Sequence, residues 1–165
     1  MRPPKPDSPG PGQESVWDYP RPPRLEETRE SIEVELGGGV VARTTRGWRV
    51  LETSHPPTYY LPQDAFLEGV LRPASGSSWC EWKGQASYFD LVAGKVVAPR
   101  AAWTYWTTTP GFEALAGAVA VMPGMVDSCR VDGEVVRAQP GQFYGGWITS
   151  RVVGPFKGEP GTLGW

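Results

Sequence analysis

Asparagine is absent from this chain of 165 residues, histidine occurs once, as His55, and cysteine twice, as Cys80 and Cys129. Without asparagine there is no N-glycosylation sequon. A structural zinc site draws on about four Cys or His ligands at short paired spacings. Here the Cys and His residues lie far apart with no C-x-x-C pair, so no metal is expected, and no cofactor motif is found. Two cysteines are too few for a disulfide scaffold, which points to a cytoplasmic protein with reduced thiols. No apolar run approaches the roughly 18–20 residues that span a bilayer, and the opening Met-Arg-Pro-Pro-Lys-Pro lacks the apolar stretch of a secretory signal. A net charge of −2 argues against a nonspecific nucleic-acid or anionic-membrane binder, which would carry excess Lys and Arg. A small molecule is the expected partner, with a homodimer as the other option.

The chain is rich in glycine, proline and tryptophan. Residues 1–15, dominated by proline and short of apolar side chains, are expected to be disordered. A single domain then runs over 16–165, its core about 31–136, wrapped by 16–30 and 137–165. Ile32, Val34 and Leu36 alternate with charges, Gly37–Gly39 turns, and Val40–Thr45 returns, which reads as a hairpin. Further strands are expected at Trp48–Glu52, Gln85–Val92, Lys95–Ala98, Ala101–Trp106, Ala118–Met122 and Tyr144–Val153. Val131-Asp132-Gly133-Glu134 carries the Asp-Gly of a tight turn. Pro62–Leu71 has helical spacing, Pro73–Ser78 reads as a loop, and Phe112–Ala116 as one helical turn. The expectation is a mainly β, small antiparallel domain with one or two short helices.

Gly37-Gly38-Gly39-Val40-Val41-Ala42 matches G-x-G-x-x-A, but a dinucleotide site needs a helix after the turn, and a β-branched run follows. His55 precedes a proline and sits in a loop. As the only histidine it is the natural general base near neutral pH, yet no nucleophile is fixed to it by sequence, and a solvated loop histidine is the simpler reading. Cys80 stands three residues before Lys83; a nearby cation would activate the thiol, whereas the plain alternative is a small buried hydrophobe. Lysine occurs four times, and Lys83 and Lys157 share a setting, aromatic before and glycine after. That suggests contact with an anion or a carbonyl, against a turn lysine lying over a ring. Trp103 and Tyr105 share one strand face, either as core or as a rigid wall for a flat ligand.

The blocks Arg49-Val50-Leu51-Glu52-Thr53, Pro57-Thr58-Tyr59-Tyr60-Leu61-Pro62, Cys80-x-Trp82-Lys83-Gly84-x-Ala86-x-Tyr88, Ala102-Trp103-x-Tyr105 and Phe143-Tyr144-Gly145-Gly146-Trp147-Ile148-Thr149 together resemble a bacterial and fungal family, domain of unknown function 427. The resemblance covers about residues 16–165, in the family's longer single-domain form. It implies a β-tent (Mss4-like) fold, a group whose zinc-binding members use cysteine pairs missing here. The nucleotidyltransferase-like label attached to the family would require paired carboxylates for Mg²⁺, and the chain has no Asp-x-Asp.

The expected site has Tyr59, Tyr60, Trp103, Tyr105 and Trp147 as walls, with Arg24, Lys83 and Lys157 holding an anionic or carbonyl group and Glu52 as hydrogen-bond acceptor or acid/base. If the protein is an enzyme, Glu52, Lys83 and Cys80 are the catalytic candidates. Two alternatives stand beside ligand binding: thiol chemistry at Cys80, and a noncatalytic interaction module using Trp17–Arg24 and the C-terminal block.

Overall fold

The computed structural model describes residues 4–80, 82–141 and 144–165. Strands β1 (Glu14–Ser15), β2 (Arg24–Thr28), β3 (Ile32–Leu36), β4 (Gly39–Thr44), β5 (Gly47–Leu51) and β6 (Thr58–Tyr60) come first. The long strands β7 (Leu71–Cys80), β8 (Gly84–Ala93) and β9 (Val96–Thr104) follow, then β10 (Val119–Val121) and β11 (Ser128–Val131). Four two-residue strands complete the chain: β12 (Glu134–Val135), β13 (Arg137–Ala138), β14 (Trp147–Ile148) and β15 (Val152–Val153). Helical structure among the described residues is limited to 3-10 turns of three residues. The domain is therefore mainly β, and its strand pairs, apart from β1–β15, are antiparallel.

Three sheets carry the architecture, in the orders β12-β11-β3-β4, β10-β9-β8-β7 and β2-β5-β6. The β3–β4 and β11–β12 hairpins form as the alternation and the Asp-Gly dipeptide require. A reciprocal bridge between Leu61 and Val119, at 2.8 and 2.7 Å, joins the sheet of β6 to that of β10. The alternating apolar positions Ile32, Val34 and Leu36 meet Leu61, Leu91, Val119 and Val121 in the main core. Each such side chain contributes about 1.5–3 kcal/mol by leaving water. A second cluster, Val50, Tyr60, Ala86, Tyr105, Leu115 and Ala120, lies between the β5–β6 and β8–β10 strands.

Three local expectations are corrected. Pro62–Leu71 is not a helix: only Gln63–Ala65 makes a 3-10 turn. Phe66 bridges to Ala42 and Leu67 donates to the Val41 carbonyl, so this backbone pairs with β4, and Gly69 at φ 82° could not continue a helix. Pro73–Ser78 is not a loop but the middle of β7, where an irregularity between Pro73 and Ser77 absorbs the proline and Gly76. Tyr144–Val153 holds two short strands, β14 and β15, rather than one.

Of the N-terminal segment expected to be disordered, 1–15, residues 1–3 lie outside the described residues, and the described part is tied to the C-terminal segment at Asp7 and Glu14–Ser15. The Asp7 amide donates to the Gly154 carbonyl at 2.8 Å, and β1 pairs with β15. Val16, Tyr19, Leu51 and Val152, with Trp17 and Phe156 against them, form a third cluster that fastens the segments around residues 16–19 and 152–156 to β5.

Candidate functional site

Between the β5–β6 strands and the β7–β9 strands lies a cavity of about 780 Å³. Its walls follow from strand alternation, since every second residue faces the same side. Ser78 and Cys80 come from β7, Ala86 and Tyr88 from β8, Trp103 with Tyr105 just past its end from β9, and Thr58 and Tyr60 from β6. Glu52, His55 and Pro56 enter from the β5–β6 loop; Met122 and Met125 from the turn after β10; Gln139, Tyr144, Gly145 and Lys157 from the C-terminal segment. Gln139 secures that segment, accepting from the Gly146 amide at 3.1 Å and donating to the Lys157 carbonyl at 2.8 Å.

The cavity is electropositive. Among the described residues its lining holds three cations, Lys83, Arg100 and Lys157, and one carboxylate, Glu52, in a chain of net charge −2. Each cation lies over a tyrosine: Lys83 Nζ 5.7 Å from the Tyr105 ring centroid, Arg100 Cζ 4.3 Å from that of Tyr88, Lys157 Nζ 5.9 Å from that of Tyr144. Such stacking holds a cation in place while leaving its donors available. Glu52 Oε2 lies 3.7 Å from both Arg21 Nη2 and His55 Nδ1. His55 Nδ1 also lies 2.9 Å from the Thr53 carbonyl oxygen. Burial lowers the histidine's pKa, reinforced by Lys157 and Arg21 and opposed by Glu52 and the Thr53 bond.

Seven of the residues named from the sequence line this cavity together: Glu52, Tyr60, Cys80, Lys83, Trp103, Tyr105 and Lys157. Three do not. Tyr59 follows the opposite face of β6, is buried against Trp147 with ring centroids 5.0 Å apart, and donates to Glu30. Trp147 is fully buried and donates from its indole to the Val121 carbonyl at 3.0 Å. Arg24 starts the edge strand β2, exposed, 3.4 Å from Glu26. The site also gathers residues that the sequence reading did not choose: His55, Tyr88, Arg100, Tyr144 and Gln139. Tyr88 and Tyr144 sat inside recognised blocks. Arg100 left no signal, because a register shift in the β8–β9 pairing and its own φ of 52° bring it over Tyr88.

Cys129, the other thiol, lies in the main core on β11, and burial pushes it up to about 12. A more open cleft of about 630 Å³ runs along residues 10–13, lined also by Glu30, Asp132, Glu134 and Arg151, with no aromatic side chain among its described lining residues. No described helix is long and apolar enough to cross a membrane.

Four of the five sequence blocks place a residue on the cavity wall within β5–β9 or their connections. Residues 24–132, two thirds of the chain, match the family described as Domain of unknown function (DUF427). The chain belongs to the DUF427 family. No curated protein matches it. The DUF427 match covers β2–β11 but stops before Gln139, Tyr144, Gly145 and Lys157, so one side of the cavity is built by chain outside the matched segment.

Proposed function

We propose that the protein binds a small anionic ligand with a flat, ring-bearing body in the cavity between β5–β6 and β7–β9. The observation that carries this reading is the set of three cations, each over a tyrosine ring, converging on one aromatic-lined space with a single carboxylate among the described residues. A volume of about 780 Å³ falls in the range of small-molecule sites, roughly 300–1,000 Å³. Trp103, Tyr88 and Tyr144 supply flat faces for a ring, and Lys83 and Arg100 supply charge. Glu52, beside Arg21 and His55, is a hydrogen-bond acceptor on the same lining. The compartment we favour is the cytoplasm, in keeping with two free thiols.

A thermal-shift screen with matched pairs tests it: nucleotides against nucleosides, aromatic acids against their amides. A ligand at about a hundred times its Kd adds roughly 2.7 kcal/mol, several degrees at roughly 2–4 °C per kcal/mol for a chain of this size. The anionic members should raise Tm and Lys83→Ala should abolish the rise. Equal shifts from neutral partners, or shifts that survive Lys83→Ala, overturn the reading.

A second reading has one supporting observation: Cys80 lines the same cavity as Lys83 and Tyr105, so a bound electrophile would meet a thiol. An interaction module or homodimer built on Trp17–Arg24 and the C-terminal block is less favoured, because those segments pack on each other, Trp17 against Trp165 at 5.5 Å between centroids.

A further inference from the structure

The inner wall of the cavity gathers hydrogen-bond donors around Cys80. Tyr60 is fully buried, and its hydroxyl has no hydrogen-bond partner among the described residues. The polar atoms of Trp103 and Tyr105 lie close enough to weigh on its ionisation without closing a hydrogen bond. Tyr105 carries a second hydroxyl on the same wall, with Lys83 Nζ over its ring at 5.7 Å. Among the described residues no carboxylate pairs with Lys83. A buried hydroxyl that satisfies nothing is a standing cost to a fold and calls for a partner such as water or a ligand; of the unpartnered buried atoms among the described residues, Tyr60 Oη belongs to a residue on the cavity lining.

Two phenolic hydroxyls, an indole N–H and an ammonium are donors in an arrangement that stabilises negative oxygen. Building on the anion-binding reading above, we propose that Tyr60, Tyr105 and Lys83 form an oxyanion subsite and that the ligand is a planar aromatic carboxylate. Its carboxylate would take the Tyr60 and Tyr105 hydroxyls and the Lys83 ammonium, with its ring against Trp103. Phosphate groups are commonly held by backbone amides at helix N-termini or in nests. This wall is instead built from side chains, Tyr60 and Trp103 on strands, Lys83 in the β7–β8 turn and Tyr105 just past β9, which suits a flat two-oxygen group.

The test uses benzoate, benzamide and phenyl phosphate as probes on the full chain, with binding measured by calorimetry and Tm by heating. Tyr60→Phe, Lys83→Met and, as a surface control, Lys95→Met are compared with the wild type. Benzoate is expected to bind more tightly than either other probe. Tyr60→Phe should weaken it about tenfold or more, as expected for a hydrogen bond to a charged group, while Tm stays level or rises by about 2–4 °C because an unsatisfied hydroxyl has been removed. Lys83→Met should weaken benzoate at least as much, and Lys95→Met should leave it unchanged. Benzoate bound equally well by Tyr60→Phe overturns the subsite and leaves anion binding standing, as does tighter binding of phenyl phosphate. A large fall in Tm for Tyr60→Phe makes the hydroxyl structural and also overturns it. Binding of none of the three probes overturns both this inference and the reading on which it rests.

Discussion

The Trp103 indole lies directly on the backbone of Gly145, so close that a Cβ at that position would fall inside the ring's van der Waals envelope. The next residue is equally confined: a Cβ on Gly146 would meet Gln139 Oε1 at 2.5 Å and Pro56 at 2.6 Å. The glycine pair lets the C-terminal segment close one side of the cavity at backbone distance from a wall residue. Gly145→Ala should force the indole into the cavity and cost about 1–3 kcal/mol, the usual range for overpacking. A lower Tm together with changed tryptophan fluorescence would show this. An unchanged Tm would mean that the segment can lift away from Trp103.

The single histidine can be followed without assignment. A carbonyl oxygen only accepts, so the Thr53 contact at 2.9 Å places the proton of neutral His55 on Nδ1 and leaves Nε2 bare. Burial depresses the pKa below 6.5, ahead of the opposing pull of Glu52. The sign follows: the unfolded chain takes up the proton first, so the stability due to neutral His55 is complete above pH of about 6.5 and is lost as pH falls towards the folded value. Nitrogen-15 NMR of histidine-labelled protein should report the Nδ1–H tautomer and a midpoint below that of a free histidine. A midpoint at or above the free value, or the other tautomer, contradicts this account.

Cys80 and Cys129 should separate cleanly in alkylation. Cys80 is half-buried on the cavity wall, whereas Cys129 is 1% exposed in the core and its thiol is pushed up to about 12. Iodoacetamide at mildly alkaline pH, read by peptide mass spectrometry, should modify Cys80 in the native protein and reach Cys129 only after unfolding. A Cys80 that stays unmodified removes the thiol-chemistry reading.

How much of this was legible in the sequence depends on which physics places each residue. The hairpins were legible because alternation and turn chemistry are local, as at Ile32–Leu36 and Asp132-Gly133. The same alternation separates Tyr59 from Tyr60: neighbours on a strand face opposite sides, so one lines the cavity and the other packs on Trp147. Treating both as walls overlooked a rule that the sequence already obeys at Trp103 and Tyr105. Trp147 was expected as an aromatic wall, but it is fully buried and its indole N–H is taken by the Val121 carbonyl. Arg100 could not be found, since its place over Tyr88 depends on a register shift. The unpartnered Tyr60 hydroxyl is likewise a property of three-dimensional packing alone.

The N-terminal arm offers a final measurable dependence. Arg49 is 1% exposed and makes a two-pronged contact with Glu14, both distances 3.2 Å, while Nη2 reaches Glu26 at 2.7 Å. Glu14 also takes Arg151 at 3.0 Å and the Tyr19 hydroxyl at 2.7 Å. Burial works against the Glu14 carboxylate, yet the Arg49 and Tyr19 hydrogen bonds and the two guanidinium charges hold it below its ordinary value. Its contribution is therefore complete above a pH of about 4.5 and is lost as pH falls through the folded value. Arg49→Ala removes the cation from two carboxylates at once. It should cost about 3 kcal/mol, the lower end of the range for breaking a buried pair, because Glu14 and Glu26 keep about a third of their exposure. Glu14→Gln keeps the shape and removes only the charge, so it should leave the sheets intact while loosening the arm. Hydrogen exchange at the Asp7 and Glu14 amides, which donate to Gly154 and Arg151, separates the two effects. Faster exchange at those amides alone is the expected result for Glu14→Gln at neutral pH, and the wild type should show the same pattern in mild acid. Exchange that stays slow in both cases would mean that the Val16–Tyr19 packing, not the ion pairs, holds the arm in place.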